Sequence, residues 1–290
     1  MNPIILTHGG VGDRKEKRDD GCVTACETGM KTLKDGKADA ALRAVIEAAV
    51  VLEDDPRFNA GTGANLRVDG SLELDASLGT SDGRIASLAC LRSTKNPIRV
   101  ANALLDSPHV MLCGDGATRF ARARGFPEAN MISERALTRW KAAVERVKSQ
   151  KLAPWEKKWK GRDITGAMHG TIGAVARAAD GTFAVSCSTG GTSLMLPGRI
   201  GDTPVWGAGI YCGPLGAVCA TGTGEEVIRR HGSLRVYMLL EKGMSAQEAA
   251  EAEVKNFPEG YEVGYIVVDK NGYGIAATND EMPAHALELK

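Results

Sequence analysis

The strongest constraint on the fold lies at residues 171–189, "TIGAVARAADGTFAVSCST". Two alternating runs of small and β-branched residues flank Ala179-Asp180-Gly181, a pattern typical of two antiparallel strands joined by a tight turn. The first run begins abruptly at Thr171, directly after Gly170. This boundary is either an ordinary transition from loop to strand or the position at which cleavage releases Thr171 as a new N-terminus.

Strand and helix patterns also alternate on both sides of this hairpin. We predict strands in "PIILTH", "IASLACLRS", "PVWGAGIYC" and "GAVCATG", helices over 18–34, 38–53, 224–240 and 245–256, and a second hairpin around Asn271-Gly272. The last helix is preceded by Ser245 and has Glu248 three residues later, which is the pattern of a capping box. Strand pairs with helix pairs beside them indicate an α+β fold of stacked sheets covered by helices.

Composition narrows the classes of partner and the compartment. The formal net charge of zero gives the chain no overall attraction to nucleic acid or to an anionic membrane. No stretch approaches the roughly 18 apolar residues of a membrane span. The seven cysteines show no zinc spacing and are expected to be buried free thiols. Because the N-terminus also lacks a signal-peptide pattern, we expect a cytoplasmic protein.

One segment departs from this charge balance. From Arg135 to Arg162 there are ten Lys or Arg residues against two Glu, with three tryptophans interspersed. A basic stretch with aromatic residues can contact nucleic acid, but no nucleic-acid-binding motif accompanies this one. We therefore interpret it as a helix followed by a flexible basic linker, about 135–169 in all, and expect no nucleic-acid partner.

A free N-terminus at Thr171 would make chemical sense. A threonine hydroxyl needs a base beside it to become a nucleophile. The α-amine that cleavage creates has a pKa of about 7.7–8.0, against about 10.4 for lysine, so it can act as a base near neutral pH. The hydroxyl of Thr171 could release that amine by attacking the carbonyl of Gly170 and forming an ester that water then cleaves.

Three loops downstream of Thr171 carry complementary chemistry. "STGG" contains Thr189, "PGRIGDTP" contains Arg199 and Asp202, and "ATGTGEE" contains residues 221–224 before a helix. Alone, each has an ordinary structural explanation, such as a surface ion pair or a helix cap. Together they supply a guanidinium for a carboxylate, a carboxylate for an ammonium, and backbone N–H groups with a hydroxyl for an oxyanion. This set suits an amino acid that has an amide side chain.

The same motifs resemble those of the plant-type asparaginases and isoaspartyl peptidases, which are threonine N-terminal nucleophile hydrolases. The resemblance covers nearly the whole chain. The matching segments, in the family's order, are "THGG", "LEDDPRFNAGTGANL", "GSLELDASL", "NPIRVA", "HVMLCGDGA", "HGTIGAVA", "STGG", "PGRIGDTPVWGAGIYC" and "ATGTGEE".

The resemblance implies a four-layer αββα sandwich of the N-terminal nucleophile hydrolase type, made as a single-domain precursor over residues 1–290. It implies self-cleavage between Gly170 and Thr171 into an α chain, 1–170, and a β chain, 171–290. Two such αβ heterodimers would associate into a heterotetramer. No cofactor is expected for catalysis, but backbone carbonyls of the 52–66 loop are similar to those that hold a structural sodium ion.

The resemblance also implies roles for particular residues. Thr171 would be the nucleophile and, through its amine, the base, and Thr189 would assist its activation. Thr221 and Gly222 would form the oxyanion hole. Asn59 would reach the nucleophile from the α chain.

Substrate binding would use the loops that follow. Arg199 would bind the α-carboxylate of the substrate, while Asp202 and the backbone of Gly224 would receive its α-ammonium, with Gly222 nearby. One departure stands out: where the family usually has a polar stretch with a lysine before "PGR", this chain has residues 192–196, "TSLML". We expect this stretch to make the approach to the pocket more apolar and to affect the choice of leaving group.

The expected activity is hydrolysis of L-asparagine to L-aspartate and ammonia, and cleavage of β-aspartyl dipeptides, through a threonine acyl-enzyme. Both substrate types present the same aspartyl half and differ only in the leaving amine. Within the same superfamily, the alternatives are a glycosylasparaginase and a threonine endopeptidase. From another class, the alternative is an amino-acid-binding homologue that does not process itself.

Overall fold

The computed structural model describes residues 1–12, 18–149, 170–279 and 282–289. The helices are α1 Asp19–Leu33, α2 Ala40–Asp54, α3 Pro97–Leu104, α4 Gly114–Ala123, α5 Glu134–Ser149, α6 Gly224–Arg230, α7 Gly232–Glu241 and α8 Ala246–Lys255. The strands are β1 Ile4–His8, β2 Leu74–Thr80, β3 Ile85–Leu91, β4 Met111–Cys113, β5 Ile172–Arg177, β6 Phe183–Thr189, β7 Ile210–Gly213, β8 Gly216–Gly222, β9 Val263–Asp269, β10 Tyr273–Ala277 and β11 Ala284–Glu288.

The strands form two sheets. The larger has the order β11-β1-β5-β6-β2-β3-β4, antiparallel except for the β3–β4 pair, and the smaller is an antiparallel sheet of order β10-β9-β8-β7. The predicted hairpin at 171–189 is confirmed as β5 and β6 in the centre of the larger sheet. Because Ile172 pairs with Ser188, the register brings Thr171 and Thr189 together at one end of the hairpin.

Alternation along the strands explains why both faces of each sheet are buried. In β1, Ile5 contributes to a core with α1 and α2, whereas Ile4 and Leu6 contribute to a core between the two sheets. In β9, Val267 contributes to the core with α7 and α8, and Ile266 faces the other sheet. The expected α+β class, with packed sheets and covering helices, is therefore confirmed.

Several local predictions hold because short-range chemistry decides them. Ser245 Oγ accepts a hydrogen bond from the backbone N–H of Glu248, and the Glu248 carboxylate accepts one from the backbone N–H of Ser245, so the predicted capping box precedes α8. The second hairpin is also confirmed, with Tyr273 paired to Val268 across the Asn271-Gly272 turn. All seven cysteines are free, and all except Cys113 are buried.

Three predicted elements require correction. The helix predicted over 224–240 is two helices, α6 and α7, because His231 adopts a left-handed conformation with φ of 54°. The strand predicted in "PVWGAGIYC" is reduced to β7, because Gly207 has φ of 88° and donates to the carbonyl of Ile210 in a turn. The sequence analysis did not predict β11, which pairs with β1 along the edge of the larger sheet.

The basic segment begins inside a packed helix. Trp140 of α5 donates through Nε1 to the carbonyl of Arg67 at 2.8 Å, and Arg139 donates to the carbonyl of Gly63 at 3.1 Å. The helix expected at the start of the 135–169 segment is thus observed up to Ser149. Residues 150–169, where the linker is expected, lie outside the described residues. Within the described residues, no helix combines the length and the apolar character that a membrane crossing needs.

Candidate active site

At the end of the central hairpin, two threonine hydroxyls form a chain of hydrogen bonds that ends on one carbonyl. Thr171 Oγ1 donates to Thr189 Oγ1 at 3.5 Å, and Thr189 Oγ1 donates to the carbonyl oxygen of Gly170 at 3.0 Å. The backbone N–H of Gly191 donates to Thr189 Oγ1 at 3.0 Å. Both threonines are buried. The arrangement orients the Thr189 proton towards Gly170 and leaves the Thr171 oxygen beside the peptide bond that precedes it.

Asn59 is the second donor to the same carbonyl. Its Nδ2 donates to the oxygen of Gly170 at 2.7 Å and to that of Gly191 at 2.5 Å. The backbone N–H of Asn65 donates to Asn59 Oδ1 at 2.8 Å, which fixes the orientation of the amide. The Gly170 oxygen therefore receives hydrogen bonds from an amide and a hydroxyl. Two donors on one carbonyl oxygen are the geometry that stabilises negative charge when a nucleophile attacks the carbonyl carbon.

Gly10, from the "THGG" motif, packs against the Gly170–Thr171 peptide bond. A Cβ at Gly10 would lie 2.7 Å from Gly170 Cα and 3.0 Å from the Thr171 nitrogen, and its φ is +98°. Only glycine fits this approach. The sequence analysis named the motif without assigning Gly10 a function, although the paired glycines were a signal of close backbone contact.

His8 supports the same loop in a neutral form. Burial lowers the pKa of His8 to about 3. Its Nδ1 accepts a hydrogen bond from the N–H of Gly10 at 3.3 Å, and its Nε2 lies 3.4 Å from the sulfur of Cys219. His8 therefore remains uncharged at neutral pH and anchors the backbone beside Thr171.

A pocket opens directly in front of Thr171. Its lining residues are Gly170, Thr171, Thr189, Gly191, Thr192, Arg199, Asp202, Gly222 and Gly224. All of these except Gly191 and Thr192 were predicted from the sequence. The remaining predicted residues, Asn59 and Thr221, are buried next to the pocket: Asn59 contacts Gly170, and Thr221 Oγ1 accepts from the N–H of Val11 at 3.4 Å.

The two charged groups of the pocket meet at Gly224. A Cβ at Gly224 would lie 2.7 Å from Asp202 Oδ1 and 2.9 Å from Arg199 Nη2. Arg199 donates to Glu225 Oε1 from Nε at 2.9 Å and from Nη2 at 2.8 Å. Glu225 is half-exposed, so Arg199 can exchange this partner for another carboxylate. The sequence analysis did not single out Glu225, whose position just inside α6 suits an acidic residue on local grounds.

Asp202 has a different environment. Burial raises its pKa to about 7, against the lowering influence of the Arg199 charge. Its Oδ2 is buried, with no hydrogen-bond partner among the described residues. Burying a carboxylate oxygen without a partner is costly, and a cationic ligand group in the pocket would relieve that cost.

Gly222 also lines the pocket. It has φ of +143°, and a Cβ there would lie 2.2 Å from the carbonyl oxygen of Glu262, the residue before β9. This close approach between β8 and β9 excludes any side chain at position 222. The backbone at the end of β8 consequently borders the pocket directly.

The apolar stretch 192–196 does not line the approach in the way we expected. Leu194 and Met195 are 3% and 5% exposed, so they face the interior, and only Leu196 is exposed. Backbone hydrogen bonds from Leu194 to the carbonyl of Leu66, and from Val68 to that of Met195, hold the stretch against residues 66–68. The expectation that this stretch makes the approach to the pocket apolar is therefore wrong for Leu194 and Met195.

The 52–66 loop offers backbone oxygens rather than charged ligands. At Gly61, a Cβ would lie 2.5 Å from the carbonyl oxygen of Glu53, and at Gly63 it would lie 2.0 Å from that of Phe58 and 2.6 Å from that of Pro56. Carbonyl oxygens are donors for hard cations. Among the described residues, no group of three or more His, Cys, Asp or Glu side chains could hold a metal ion. The loop therefore has donors of the type that a structural sodium ion would need.

Comparison with known proteins points to one family. The model of the asparaginase family matches residues 1–288. A plant-type L-asparaginase of Pyrococcus horikoshii is 37% identical over 294 residues, covering 97% of this chain and 95% of the relative. Isoaspartyl peptidase/L-asparaginases of Macaca fascicularis and Homo sapiens are 37% and 36% identical, each covering 98% of this chain and 92% of the relative.

The matches run through every segment that forms the pocket, from the "THGG" loop to the start of α6. The identity over nearly the full length is well above the level at which only a fold is shared. The chain belongs to the asparaginase family.

Proposed function

We propose that the protein hydrolyses L-asparagine and β-aspartyl dipeptides after cleaving itself between Gly170 and Thr171. One observation carries the proposal: the pocket in front of the Thr171 hydroxyl contains both Arg199 and Asp202. A guanidinium and a carboxylate at fixed positions recognise the α-carboxylate and α-ammonium of an amino acid. The side-chain amide of such a ligand would then face Thr171.

The contacts of Gly170 support the self-cleavage step. The Thr171 oxygen attacks the Gly170 carbonyl carbon, and the developing oxyanion is stabilised by Asn59 Nδ2 and Thr189 Oγ1. The C–N bond then breaks, the amine takes up the proton that the Thr171 hydroxyl loses, and an ester joins Gly170 to the Thr171 oxygen. Water hydrolyses that ester and leaves Gly170 with a carboxylate and Thr171 with a free amine and hydroxyl.

The mature site then uses the same nucleophile on the substrate. The Thr171 amine accepts the hydroxyl proton as the oxygen attacks the side-chain amide. Thr221 and Gly222 are proposed to stabilise the oxyanion, and Gly222 borders the pocket. The leaving amine of the substrate departs with a proton and leaves a β-aspartyl ester on Thr171. Water then hydrolyses this ester to aspartate.

Denaturing electrophoresis and intact-mass measurement test the processing step. We expect wild-type protein to yield two fragments, 1–170 and 171–290, the second beginning Thr-Ile-Gly. Thr171→Ala removes the attacking oxygen, so it should give a single band without activity. Thr24→Ala, at an exposed position of α1, is the matched control and should be processed normally. Full activity in a preparation that stays uncut would contradict the mechanism.

A substrate panel separates the alternatives within this chemistry. L-asparagine, a β-aspartyl dipeptide and glycosylasparagine share the aspartyl half and differ in the leaving group. Hydrolysis of the first two supports the proposal, while preference for the third identifies a glycosylasparaginase. Cleavage only of a folded protein substrate would indicate an endopeptidase. Uncut protein that binds aspartate would be the non-processing binding homologue.

The architecture and assembly implied by the family are proposed with this activity. The buried clusters between the two sheets and under each helix pair support a four-layer αββα sandwich. We propose that residues 1–290 form one domain and that mature αβ units pair into a heterotetramer. Sedimentation equilibrium of processed protein should give about twice the 30.6 kDa mass of one chain.

The free cysteines support a cytoplasmic location, which cell fractionation would test.

The sodium ion is a separate structural proposal. The carbonyl oxygens of Glu53, Pro56 and Phe58 support a cation within the 52–66 loop. An ion that binds only the folded state raises the melting temperature. Replacing sodium chloride with N-methylglucamine chloride at equal ionic strength should therefore lower the Tm, and an unchanged Tm would contradict the proposal.

A further inference from the structure

A buried charge cluster lies behind the loop that carries Arg199. One carboxylate of the "GSLELDASL" segment reaches this loop from just before β2. Glu73 Oε2 accepts a hydrogen bond from the N–H of Gly198 at 2.7 Å. Gly198 directly precedes Arg199, so this contact holds the backbone next to Arg199 in place.

Arg67 is the buried cation of this cluster. Its side chain is fully buried, and its Nε lies 3.2 Å from Glu73 Oε2, the same oxygen that receives the Gly198 N–H. Arg67 Nη1 also contacts Met195 Sδ at 3.3 Å. Large, fully buried arginines are rare in proteins unless they are paired. The position of Arg67 within the interior thus indicates a specific electrostatic function.

Arg67 also contacts the pocket wall from behind. A Cβ at Gly191 would lie 2.7 Å from Arg67 Nη1 and 3.4 Å from its Cζ. Gly191 lines the pocket, and the stretch from Gly191 to Arg199 runs past the Arg67 guanidinium and Glu73. One buried ion pair therefore contacts both ends of the segment that presents Arg199.

Glu73 depends on its cations to stay ionised. Burial raises the pKa of Glu73, but the hydrogen bond from Arg92, the Gly198 N–H and the charge of Arg67 together bring that pKa below its usual value. Arg92 is half-exposed, with 48% of its side chain accessible, so water screens its charge. Arg67 is the fully desolvated partner and contacts the oxygen that holds Gly198.

We propose that Arg67 is a positioning residue that sets Arg199, through Glu73 and Gly198, to receive the α-carboxylate of the substrate. Without the Arg67 cation, Glu73 turns towards Arg92 and solvent, and Gly198 loses its acceptor. Arg199 then swings from the pocket while the ammonium contact at Asp202 persists, because Asp202 has no contact with Arg67. The resulting loss of affinity is specific to ligands that have an α-carboxylate.

This inference rests on the proposed function, and two ligands test it. L-aspartate has both the α-carboxylate and the ammonium, whereas β-alanine is the same molecule without the α-carboxylate. We expect Arg67→Met to raise the calorimetric Kd of L-aspartate by about 10- to 100-fold, the loss typical of a misplaced binding group. The Kd of β-alanine should change by less than about twofold. The ratio of the β-alanine Kd to the L-aspartate Kd should therefore fall.

A cation placed at position 195 instead of position 67 should restore the binding of L-aspartate. Because Arg67 Nη1 touches Met195 Sδ, a lysine at position 195 places an ammonium in the space that the guanidinium leaves. The double variant R67M/M195K should restore the wild-type ratio of dissociation constants. Arg84→Met is the matched control: Arg84 pairs with Asp39 and Asp82 at the surface, and its loss should leave both constants unchanged.

The outcomes distinguish this inference from the proposed function. Wild-type protein that does not bind L-aspartate contradicts the proposed function itself. If the wild-type protein binds L-aspartate but R67M weakens the binding of both ligands equally, or of neither, Arg67 has no specific effect on Arg199 and the inference is wrong. If R67M does not fold, R67K and R67M/M195K are compared in the same way, and a ratio below wild type in the double variant overturns the inference.

Discussion

Asp202 has the most unusual charge state in the pocket, and it leads to a prediction about pH. Burial raises the pKa of Asp202 to about 7, so below that pH the carboxyl is increasingly protonated and neutral. A neutral carboxyl does not pair with an ammonium. The Kd of L-aspartate for the mature protein should therefore rise as pH falls below about 7, approaching about tenfold per unit, and should be flat above it.

Asp202→Asn separates this effect from other titrations, such as that of the Thr171 amine. The variant keeps the size of the side chain but has no charge to lose, so its Kd should be higher and nearly independent of pH between 5 and 8. Calorimetric titration of L-aspartate across that range measures both proteins. An equally steep rise in the Asn variant would assign the pH dependence to another group.

Asn59 leads to a prediction about self-cleavage. Removing its amide by Asn59→Ala leaves Thr189 as the remaining side-chain donor to the Gly170 oxygen among the described residues. Loss of one oxyanion donor typically slows attack by about 10²- to 10³-fold. The rate is measured as the appearance of the 171–290 fragment after purification of uncut protein.

Asn65→Ala is the matched control for Asn59. The Asn65 side chain donates to the carbonyl of Gly191 at 3.3 Å, whereas that of Asn59 donates to the carbonyl of Gly170. Its backbone N–H, which orients the Asn59 amide, is kept in the variant. Similar rates of cleavage in the two variants would show that the amide of Asn59 acts only on the local structure.

Individual residues of the pocket were predictable where their chemistry is local. Thr171 follows a glycine at the start of an alternating run, and Arg199 with Asp202 lies between glycines, so both signals are present in short windows of sequence. The contacts of Gly10 and Arg67 were not predictable in this way. Gly10 packs against Gly170, and Arg67 against Met195, over separations that only the sheet order creates.

At the scale of elements, α2, α3 and β6 are joined by one buried carboxyl. Glu53, near the end of α2, accepts from Ser188 Oγ of β6 at 2.6 Å and from the N–H of Ile98 in α3 at 3.2 Å. Burial raises its pKa from 4.5 to about 8, despite these hydrogen bonds. The junction therefore contains a carboxyl that is protonated at neutral pH.

This raised pKa predicts how stability changes with pH. Between about 4.5 and 8, the folded state keeps the Glu53 proton and the unfolded state has lost it, so the Glu53 contribution is greatest at low pH. It should fall as pH rises towards about 8, by up to about 1.4 kcal/mol per unit, and then level off. Urea unfolding at pH 5, 6, 7 and 8 in the uncut Thr171→Ala background measures this slope.

The Glu53 contribution is isolated by subtraction. Glu53→Gln cannot ionise, so the difference in unfolding free energy between it and its parent should show the predicted slope. Glu47→Gln is the matched control on the same helix, because Glu47 pairs with Arg99 at the surface. A difference that does not depend on pH for Glu53→Gln would mean that Glu53 is ionised in the folded protein.

The elements themselves divide into predictable and unpredictable ones for a physical reason. The β5–β6 hairpin and the cap before α8 depend on residues a few positions apart, and both were foreseen. The break at His231 was not, because "EEVIRRHGSLRVYMLL" is compatible with one continuous helix. Tertiary contacts decide it: the N–H of Ser233 donates to the carbonyl of Ala208 and that of Leu234 to Gly207.

At the scale of the whole molecule, the sheet order interleaves the two proposed chains. In the larger sheet, β1 from the 1–170 segment lies between β11 and β5, which both come from the 171–290 segment. Likewise β6, from the second segment, pairs with β2 from the first. The helices and strands on either side of the proposed cleavage point therefore share one hydrogen-bonded sheet and contribute to the same buried clusters. No pattern within a short window predicts this interleaving, because it arises from pairings between distant strands.

Interleaving predicts that cleavage does not separate the fragments. Leaving would break the β1–β11, β1–β5 and β2–β6 ladders and expose the core between them, at a cost comparable to global unfolding. Processed protein should elute from a sizing column as one species containing both fragments and should unfold in urea in a single transition. The fragments should separate on the same column only above the unfolding midpoint. Resolution of 1–170 from 171–290 in native buffer would contradict the sheet order, since no chain could withdraw a central strand and leave its neighbours folded.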